Sequence, residues 1–443
     1  MLNIFWVAMI FAALFCGAVT GKLDAVARES TLSAGKAVEL AIGLVGIMAL
    51  WIGLMQILQK GGLLKSVARA LTPVMCRLFP DVPRDHPAMG MMILNFTANM
   101  LGLANAATPF GLKAMLELDR LNDNKGVASD SMVLFLAINT SNLALLPTGV
   151  ISLRASLNAA APASIFFTTL LSTTCSTVVA VIAVKALQRL RRFRVVPLAL
   201  GAGAAVPGAA LVPDTAAAEA TVYAMPPIPS AFARLLGWAL LAAMLAALVW
   251  GVVAQSTQVK DGVELGLHGS LKRAVAEWPL IILMGLILLY GIIRGVKSYD
   301  AVVDGGKEGF QVAVRIIPYL VAMLVAVAML RASGALDLFA TLMAPLTNLI
   351  GMPAETLPMV LTRPLSGTGA YAVAADIMRA HGTDSLVGQI VSTMQGSTET
   401  TFYVLALYYG VVGVRLTRHT IPACLISDAA GMIAAVWTCR LML

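Results

Sequence analysis

The sequence predicts an all-α polytopic membrane protein, and three observations lead to that class. Hydrophobic residues make up 59% of the 443 and charged residues only 12%, against about 25% charged in a typical soluble domain. Mean hydropathy is +0.86. Apolar windows of about 20 residues, the length that crosses a hydrocarbon core, recur from end to end. The chain lacks the charges to coat a soluble core, so no soluble domain large enough to be an enzyme is expected.

The elements follow in order. Strongly apolar helices are predicted over residues 2–20, 38–58, 131–152, 162–187, 232–254, 277–295, 309–330, 386–411 and 419–441. The first opens Met1-Leu2-Asn3-Ile4-Phe5-Trp6 without a basic start, so it reads as a retained helix rather than a signal peptide. Two further stretches, 88–116 and 355–380, are apolar but punctuated by Gly, Pro and Asn, and read as broken or re-entrant helical hairpins. Backbone that leaves the helix at membrane depth must be buried in protein or line a polar cavity. The count is about nine or ten crossings plus the two hairpins.

A linker divides the chain. It starts at the basic run Arg189-Leu190-Arg191-Arg192-Phe193-Arg194 and continues, rich in Ala, Gly and Pro, to about residue 230. Residues 195–212 carry no charge, but Pro197, Pro207 and Pro213 with Gly201, Gly203 and Gly208 argue against a helix there. This gives halves at 1–190 and 231–443 around a linker at 191–230, with the second repeat proper over about 305–443.

The halves share an order of features. Lys60-Gly61-Gly62 through Pro73 parallels Arg331 through Pro345. Leu101-Gly102-Leu103-Ala104 parallels Ser366-Gly367-Thr368-Gly369. Asn139-Thr140-Ser141-Asn142 parallels Gln395-Gly396-Ser397-Thr398, each behind an Asp-Ser pair at Asp130 and Asp384. With Arg189 to Arg194 cytoplasmic, counting crossings places Lys60, Lys65 and Arg69 inside, and the matching segment 333–349 outside without a Lys or Arg. That asymmetry obeys the positive-inside rule and predicts two repeats of inverted topology, the plan of many secondary transporters.

The polar residues at membrane depth are the candidates for chemistry. Asn95, Thr97, Asn99, Asn105 and Thr108 crowd the first hairpin; Thr362, Arg363, Ser366, Thr368 and Tyr371 crowd the second. The Gly367-Thr368-Gly369 turn is expected to leave amides free for an anion. Mid-helix groups add Asn139, Ser141 and Asn142 in one half and Gln395, Ser397, Thr398 and Glu399 in the other. Such groups are costly against lipid and should face one another or a wet cavity. Interhelical hydrogen bonding suffices for any single Ser or Thr; the cluster on repeated breaks points to a binding site. For Arg363 and Glu399 a structural ion pair and a substrate-binding or titrating pair stand level.

Other chemistry is not indicated. His86, His268, His381 and His419 form no H-E-x-x-H motif and no P-loop is present. Asp304-Gly305-Gly306-Lys307-Glu308 resembles a phosphate loop only superficially, at a helix start. Cys16, Cys76, Cys175, Cys424 and Cys439 are scattered, without a metal or disulfide pattern. No cofactor or metal is expected. The net charge of +8 sits at helix ends, without the basic–aromatic pattern of a nucleic-acid binder.

Specific stretches carry a family resemblance. Asn139 to Thr148, Asn-Thr-Ser-Asn-Leu-Ala-Leu-Leu-Pro-Thr, resembles a signature of bacterial spore maturation protein A. Met394 to Val404, Met-Gln-Gly-Ser-Thr-Glu-Thr-Thr-Phe-Tyr-Val, with Arg363-Pro-Leu-Ser-Gly367, resembles that of spore maturation protein B. The chain is similar to a fusion of the two, and both are placed in the nucleoside recognition "gate" family. The resemblance implies a multi-pass protein of the bacterial plasma (inner) membrane and suggests transport. Expected partners are the lipid bilayer, a small polar or anionic solute, a coupling ion (proton or sodium) and a second copy in a homo-oligomer, with no nucleic acid. A non-transporting scaffold or regulator in spore or envelope maturation is the competing expectation.

Overall fold

The computed structural model describes residues 2–102, 104–193, 231–256, 259–260, 263–264 and 278–442. Residues 194–230, which hold most of the expected linker and all of 195–212, lie outside the described residues.

The long apolar runs fold as helices because a backbone in hydrocarbon must satisfy its hydrogen bonds internally. In the first half these are α1 (Leu2–Val19), α2 (Leu23–Lys60), α3 (Leu63–Leu78), α4 (Pro87–Met100), α5 (Ala104–Arg120), α6 (Asp130–Ser141), α7 (Thr148–Ser156) and α8 (Phe166–Leu187). Next come α9 (Ala231–Ser256) and α10 (Pro279–Ile293), with a two-residue ribbon pairing Val259–Lys260 with Val263–Glu264. The second half continues with α11 (Ser298–Ser333), α12 (Ala335–Leu349), α13 (Leu357–Thr362), α14 (Gly367–His381), α15 (Leu386–Ser397), α16 (Thr401–Val411) and α17 (Thr420–Met442). Among the described residues, four helices are long and apolar enough to cross a membrane singly: α2, α8 with its leading 3-10 turn, α9 and α17. On α9, Leu235, Trp238 and Trp250 are 60–74% exposed, as expected of a helix facing lipid.

Three sequence expectations change. The helix expected over 38–58 starts at Leu23, because Asp24, Glu29 and Lys36 extend it beyond its apolar part. The single helices expected over 131–152 and 386–411 are each broken, between Ser141 and Thr148 and between Ser397 and Thr401. The stretch Asp304 to Glu308, expected at a helix start, lies inside α11, where Asp304 pairs with Lys60 at 2.8 Å and Glu308 accepts from Gln56 at 3.1 Å.

The inverted duplication is visible in the geometry. Helices α2 and α11 pack antiparallel, since Lys60 meets Asp304, Ala49 meets Gly309 and Lys22 lies beside Gly334. Each is followed by a glycine at φ 81° (Gly62 and Gly334) and then by a helix with an internal proline, Pro73 or Pro345. Ser129 caps α6 and Ser385 caps α15. Helices α8 and α17 exchange matching bonds: the Ser176 hydroxyl donates to the Ser427 carbonyl, and the Ser427 hydroxyl to the Ser176 carbonyl, each at 3.0 Å.

The halves interlock rather than abut. The first hairpin (α4, α5) packs on α16 through rings of Phe79, Phe96, Phe135 and Tyr408, with successive centroids 6.4, 5.3 and 5.7 Å apart. Asn95 of α4 donates to the Tyr408 hydroxyl at 3.3 Å. In the reciprocal place, Tyr371 of α14 donates to the Gly149 carbonyl of α7 at 3.2 Å.

Close backbone approach of α2 and α11 makes one glycine sensitive. A Cβ on Gly309 would stand 2.6 Å from Ala49 Cα, whereas one on Gly306 would find only atoms of Ala49 at 3.9 Å. Gly309→Ala should therefore destabilise the purified protein by about 1–3 kcal/mol, while Gly306→Ala should be neutral or slightly stabilising through helix propensity. Thermal unfolding in detergent reads both, and equal midpoints for the two variants would contradict this packing.

Candidate functional site

The breaks in α6–α7 and α15–α16 meet. The backbone N–H of Glu399, in the second break, donates to the Thr140 carbonyl at the end of α6, at 2.8 Å. Each break is also tied to the tip of its own hairpin. The Leu145 N–H donates to the Met100 carbonyl at 2.9 Å, and the Phe402 N–H to the Pro364 carbonyl at 3.0 Å. The turn at the first tip uses Gly102 at φ 71°, where a Cβ would crowd the Leu146 carbonyl at 3.1 Å. Asn142 ends α6 at φ 45°, in the left-handed region that Asn tolerates. Four interrupted elements thus converge, each satisfying polar backbone that its own helix has abandoned.

The first-half residues are largely satisfied by one another. Asn99 donates to the Asn139 side-chain oxygen at 3.0 Å, and Asn139 donates to the Phe135 carbonyl at 2.8 Å. The Ser141 hydroxyl serves the Ile138 carbonyl and Thr177, both at 2.9 Å. Thr173 donates to the carbonyls of Ser141 and Asn142. Asn105 lies on α5, but its side chain is outside the described residues. In this half the structure shows interhelical hydrogen bonding, with left-handed residues at Gly102 and Asn142.

The second half carries the charge. Arg363 is 3% exposed; its Nε donates to Thr398 Oγ1 at 3.3 Å and its Nη2 to the carbonyls of Gln395, at 3.0 Å, and Thr398. The guanidinium therefore closes the end of α15, where helix carbonyls run out of intrahelical donors. Glu399 is not ion-paired to it within hydrogen-bond reach. The two flank Gly367, where an added Cβ would lie 3.7 Å from Glu399 Oε1 and 3.8 Å from Arg363 Nη1. Ser366 caps α14 by accepting the Gly369 N–H at 3.0 Å and lies 3.5 Å from Thr368 Oγ1. The expected Gly-Thr-Gly anion turn is instead the first turn of a helix, one of its amides already occupied. Ser397 bonds back to the Met394 carbonyl at 3.4 Å.

Asp428 belongs to this cluster and escaped the sequence reading. It is 2% exposed on α17 and accepts from Thr401 Oγ1 at 2.6 Å. A signal existed, since it is the one acidic or basic side chain other than histidine between Arg418 and Arg440. Both Asp428 and Glu399 lie within electrostatic range of the Arg363 guanidinium. Buried oxygens without a hydrogen-bond partner among the described residues cluster here: Gln395 Oε1, Thr400 Oγ1 and Asp428 Oδ1.

Two arginine clamps bracket the crossing at opposite ends. Arg154, at the end of α7 and 0% exposed, reaches Asp384 before α15 at 2.8 Å, along with the carbonyls of Thr383, Pro162 and Ala161 and the hydroxyls of Ser164 and Ser392. Arg418, before α17, reaches Asp130 of α6 at 2.6 Å and the carbonyls of Ala128 and Phe193. A cavity of about 220 Å³ beside this second clamp is lined by Asp81, Asn122, Asp130, Ser131 and Arg418 among others. Among the described residues no group of three His, Cys, Asp or Glu could hold a metal ion.

Fold and site define a class: a multi-pass helical membrane protein of two inverted halves whose broken helices cross. The Gate family model, described as nucleoside recognition, matches residues 41–188 and 313–415, more than half of the chain, and the chain belongs to that family. It is 47% identical over 163 residues to spore maturation protein B of Bacillus subtilis (strain 168), covering 37% of this chain and 90% of that protein. It is 41% identical over 182 residues to spore maturation protein A of the same organism, covering 41% of this chain and 93% of that protein. No solved structure matches.

The clamps differ in what they hold. Arg154→Ala strands six acceptor groups around a fully buried position and should cost on the order of 3 kcal/mol. Arg418→Ala, which frees three acceptor groups rather than six, should cost clearly less. Thermal unfolding in detergent orders the two, and the reverse order would refute the assignment of the tighter clamp.

Proposed function

We propose that this protein is a secondary transporter of a small polar or anionic solute, with its site where the two broken helices cross. The crossing itself supports the reading most directly. A scaffold needs only packed helices, whereas here two interrupted helices are brought together with Arg363, Glu399 and Asp428 and with three buried oxygens that have no partner among the described residues. Discontinuous helices meeting near the midplane of inverted repeats are how secondary transporters build a site. Polar groups left unbonded at such depth are expensive unless they serve a ligand or water.

In this reading Arg363 and Glu399 contact the solute beside the α14 N-terminus, whose positive end favours an anionic group. Gln395, Thr398 and Asn139 frame it, Asn99 approaches from the first hairpin, which also carries Asn105, and Ser141, Asn142, Ser366, Thr368 and Ser397 hold the breaks in shape. The bilayer is the bacterial plasma membrane, with Arg189 to Arg192 and the Arg418 clamp on the cytoplasmic side by the positive-inside rule. The protein moves its solute rather than transforming it.

A second reading, a scaffold or regulator in spore or envelope maturation, draws on the names of the two relatives and on the mutual satisfaction of Asn99, Asn139 and Ser141.

The test is uptake by purified protein in liposomes, screened over labelled nucleosides and small carboxylates. The transporter takes up at least one solute; Arg363→Ala lowers uptake by tenfold or more, about 1.4 kcal/mol of lost binding, and Glu399→Gln lowers it as well. Uptake indifferent to both changes would sink the site. No uptake across the panel would favour the scaffold.

A further inference from the structure

The buried charges around the crossing do not balance. Arg363 supplies one positive charge, and Glu399 and Asp428 supply two carboxylates within its electrostatic range. Asp428 stands eight residues into the 23-residue α17, about 12 Å along the helix axis, and is 2% exposed. Its Oδ2 has the Thr401 hydroxyl at 2.6 Å, and its Oδ1 is buried with no partner among the described residues. An ionised carboxylate solvated by one hydroxyl at membrane depth is costly. One added proton makes the cluster neutral.

The neighbours of Asp428 leave it as the group to take that proton. The titratable and charged groups facing it are Arg363 from the second hairpin, Glu399 from the α15–α16 break and Cys424 one turn earlier on its own helix. The faces of α8 and α6 and the end of α15 packed against this part of α17 present Ser176, Thr140 and Thr398, none of which titrates. Glu399 differs from Asp428: it is only partly buried, and its Oε1 accepts the Thr400 N–H at 3.2 Å. The Asp428–Thr401 contact serves either protonation state with its heavy atoms in place, only the hydroxyl hydrogen turning. Thr401 donates to the carboxylate; a protonated Asp428 donates to the Thr401 oxygen instead.

We infer that Asp428 is a proton-binding site built into the crossing, and that its protonation removes a buried negative charge from the surroundings of Arg363 so that the guanidinium's charge is left for an anionic solute. The inference rests on the transport reading for its second part and stands on the cluster's geometry for its first. Proton binding at Asp428 and anion binding at Arg363 are then coupled reciprocally, as two ligands of one site must be. In this proposal a proton, rather than sodium, is the ion whose gradient drives accumulation, and the sodium comparison below separates the two.

Infrared difference spectroscopy of the purified protein, titrated with acid, tests this without any solute. A protonated-carboxyl stretch should appear on acidification, vanish in Asp428→Asn and persist in Glu399→Gln. Thr401→Val, which removes the donor to the carboxylate and keeps the side-chain volume, should move its midpoint to higher pH by about one unit. Thr401→Ser should restore it. The midpoint should be the same in sodium chloride and choline chloride. A band unchanged in Asp428→Asn, a Thr401→Val midpoint identical to the parent's, or a sodium-dependent midpoint would each overturn the proposal. In liposomes, an inward proton gradient should raise solute accumulation in the parent but not in Asp428→Asn. If the Asp428 band titrates as stated and no solute is taken up, transport fails and the proton site stands. If solute is taken up and Asp428→Asn accumulates it as the parent does, the coupling fails and transport stands.

Discussion

The structure depends on one constraint: a backbone that leaves its helix inside the membrane must find hydrogen-bond partners in protein. Two helices are interrupted at depth, and each interruption is satisfied from elsewhere. Leu145 and Phe402 bond to the tips of their own hairpins, and Glu399 bonds to Thr140 across the halves. The positions of the hairpins, the crossing and the side chains around it follow from those three bonds. Remove any one, and a donor is stranded where water cannot replace its acceptor.

Within this near-symmetric frame the chemistry is unequal. The hairpin tip carries Asn99 in one half and Arg363 in the other, and each reaches the end of the broken helix beside it. Where the first half uses an amide pair, the second uses a guanidinium on open carbonyls, and Glu399 and the buried Asp428 lie in the second half as well. Duplication supplied two matching breaks; divergence placed the charge in one of them. The quiet half serves as a rigid frame, and the charged half holds groups that respond to a ligand or a proton.

Much of this was legible in the sequence. The hairpins showed in their Gly, Pro and Asn punctuation, and the duplication in the shared order from Lys60 and Arg331 onward. The breaks at 142–147 and 398–400 were not legible as breaks, because the apolar runs around them are continuous and the bonds that stabilise an interruption come from distant segments. Asn139 and Glu399 were flagged as polar residues in a helix, when they mark the ends of helices. The start of α2 was missed because its first turns are charged and amphipathic rather than apolar. Asp428 was passed over because a lone aspartate in an apolar helix acquires meaning only from Arg363 and Thr401, which the chain brings to it from other helices.

The interlocking of the halves bears on how the molecule is made. The first hairpin leans on α16 and the second on α7, so neither half completes its core, or its backbone bonding, until the other is in place. A half inserted alone would sit in the bilayer with Thr140 or Glu399 backbone unmatched. Carrying both halves on one polypeptide fixes their ratio at synthesis and makes their assembly independent of expression level.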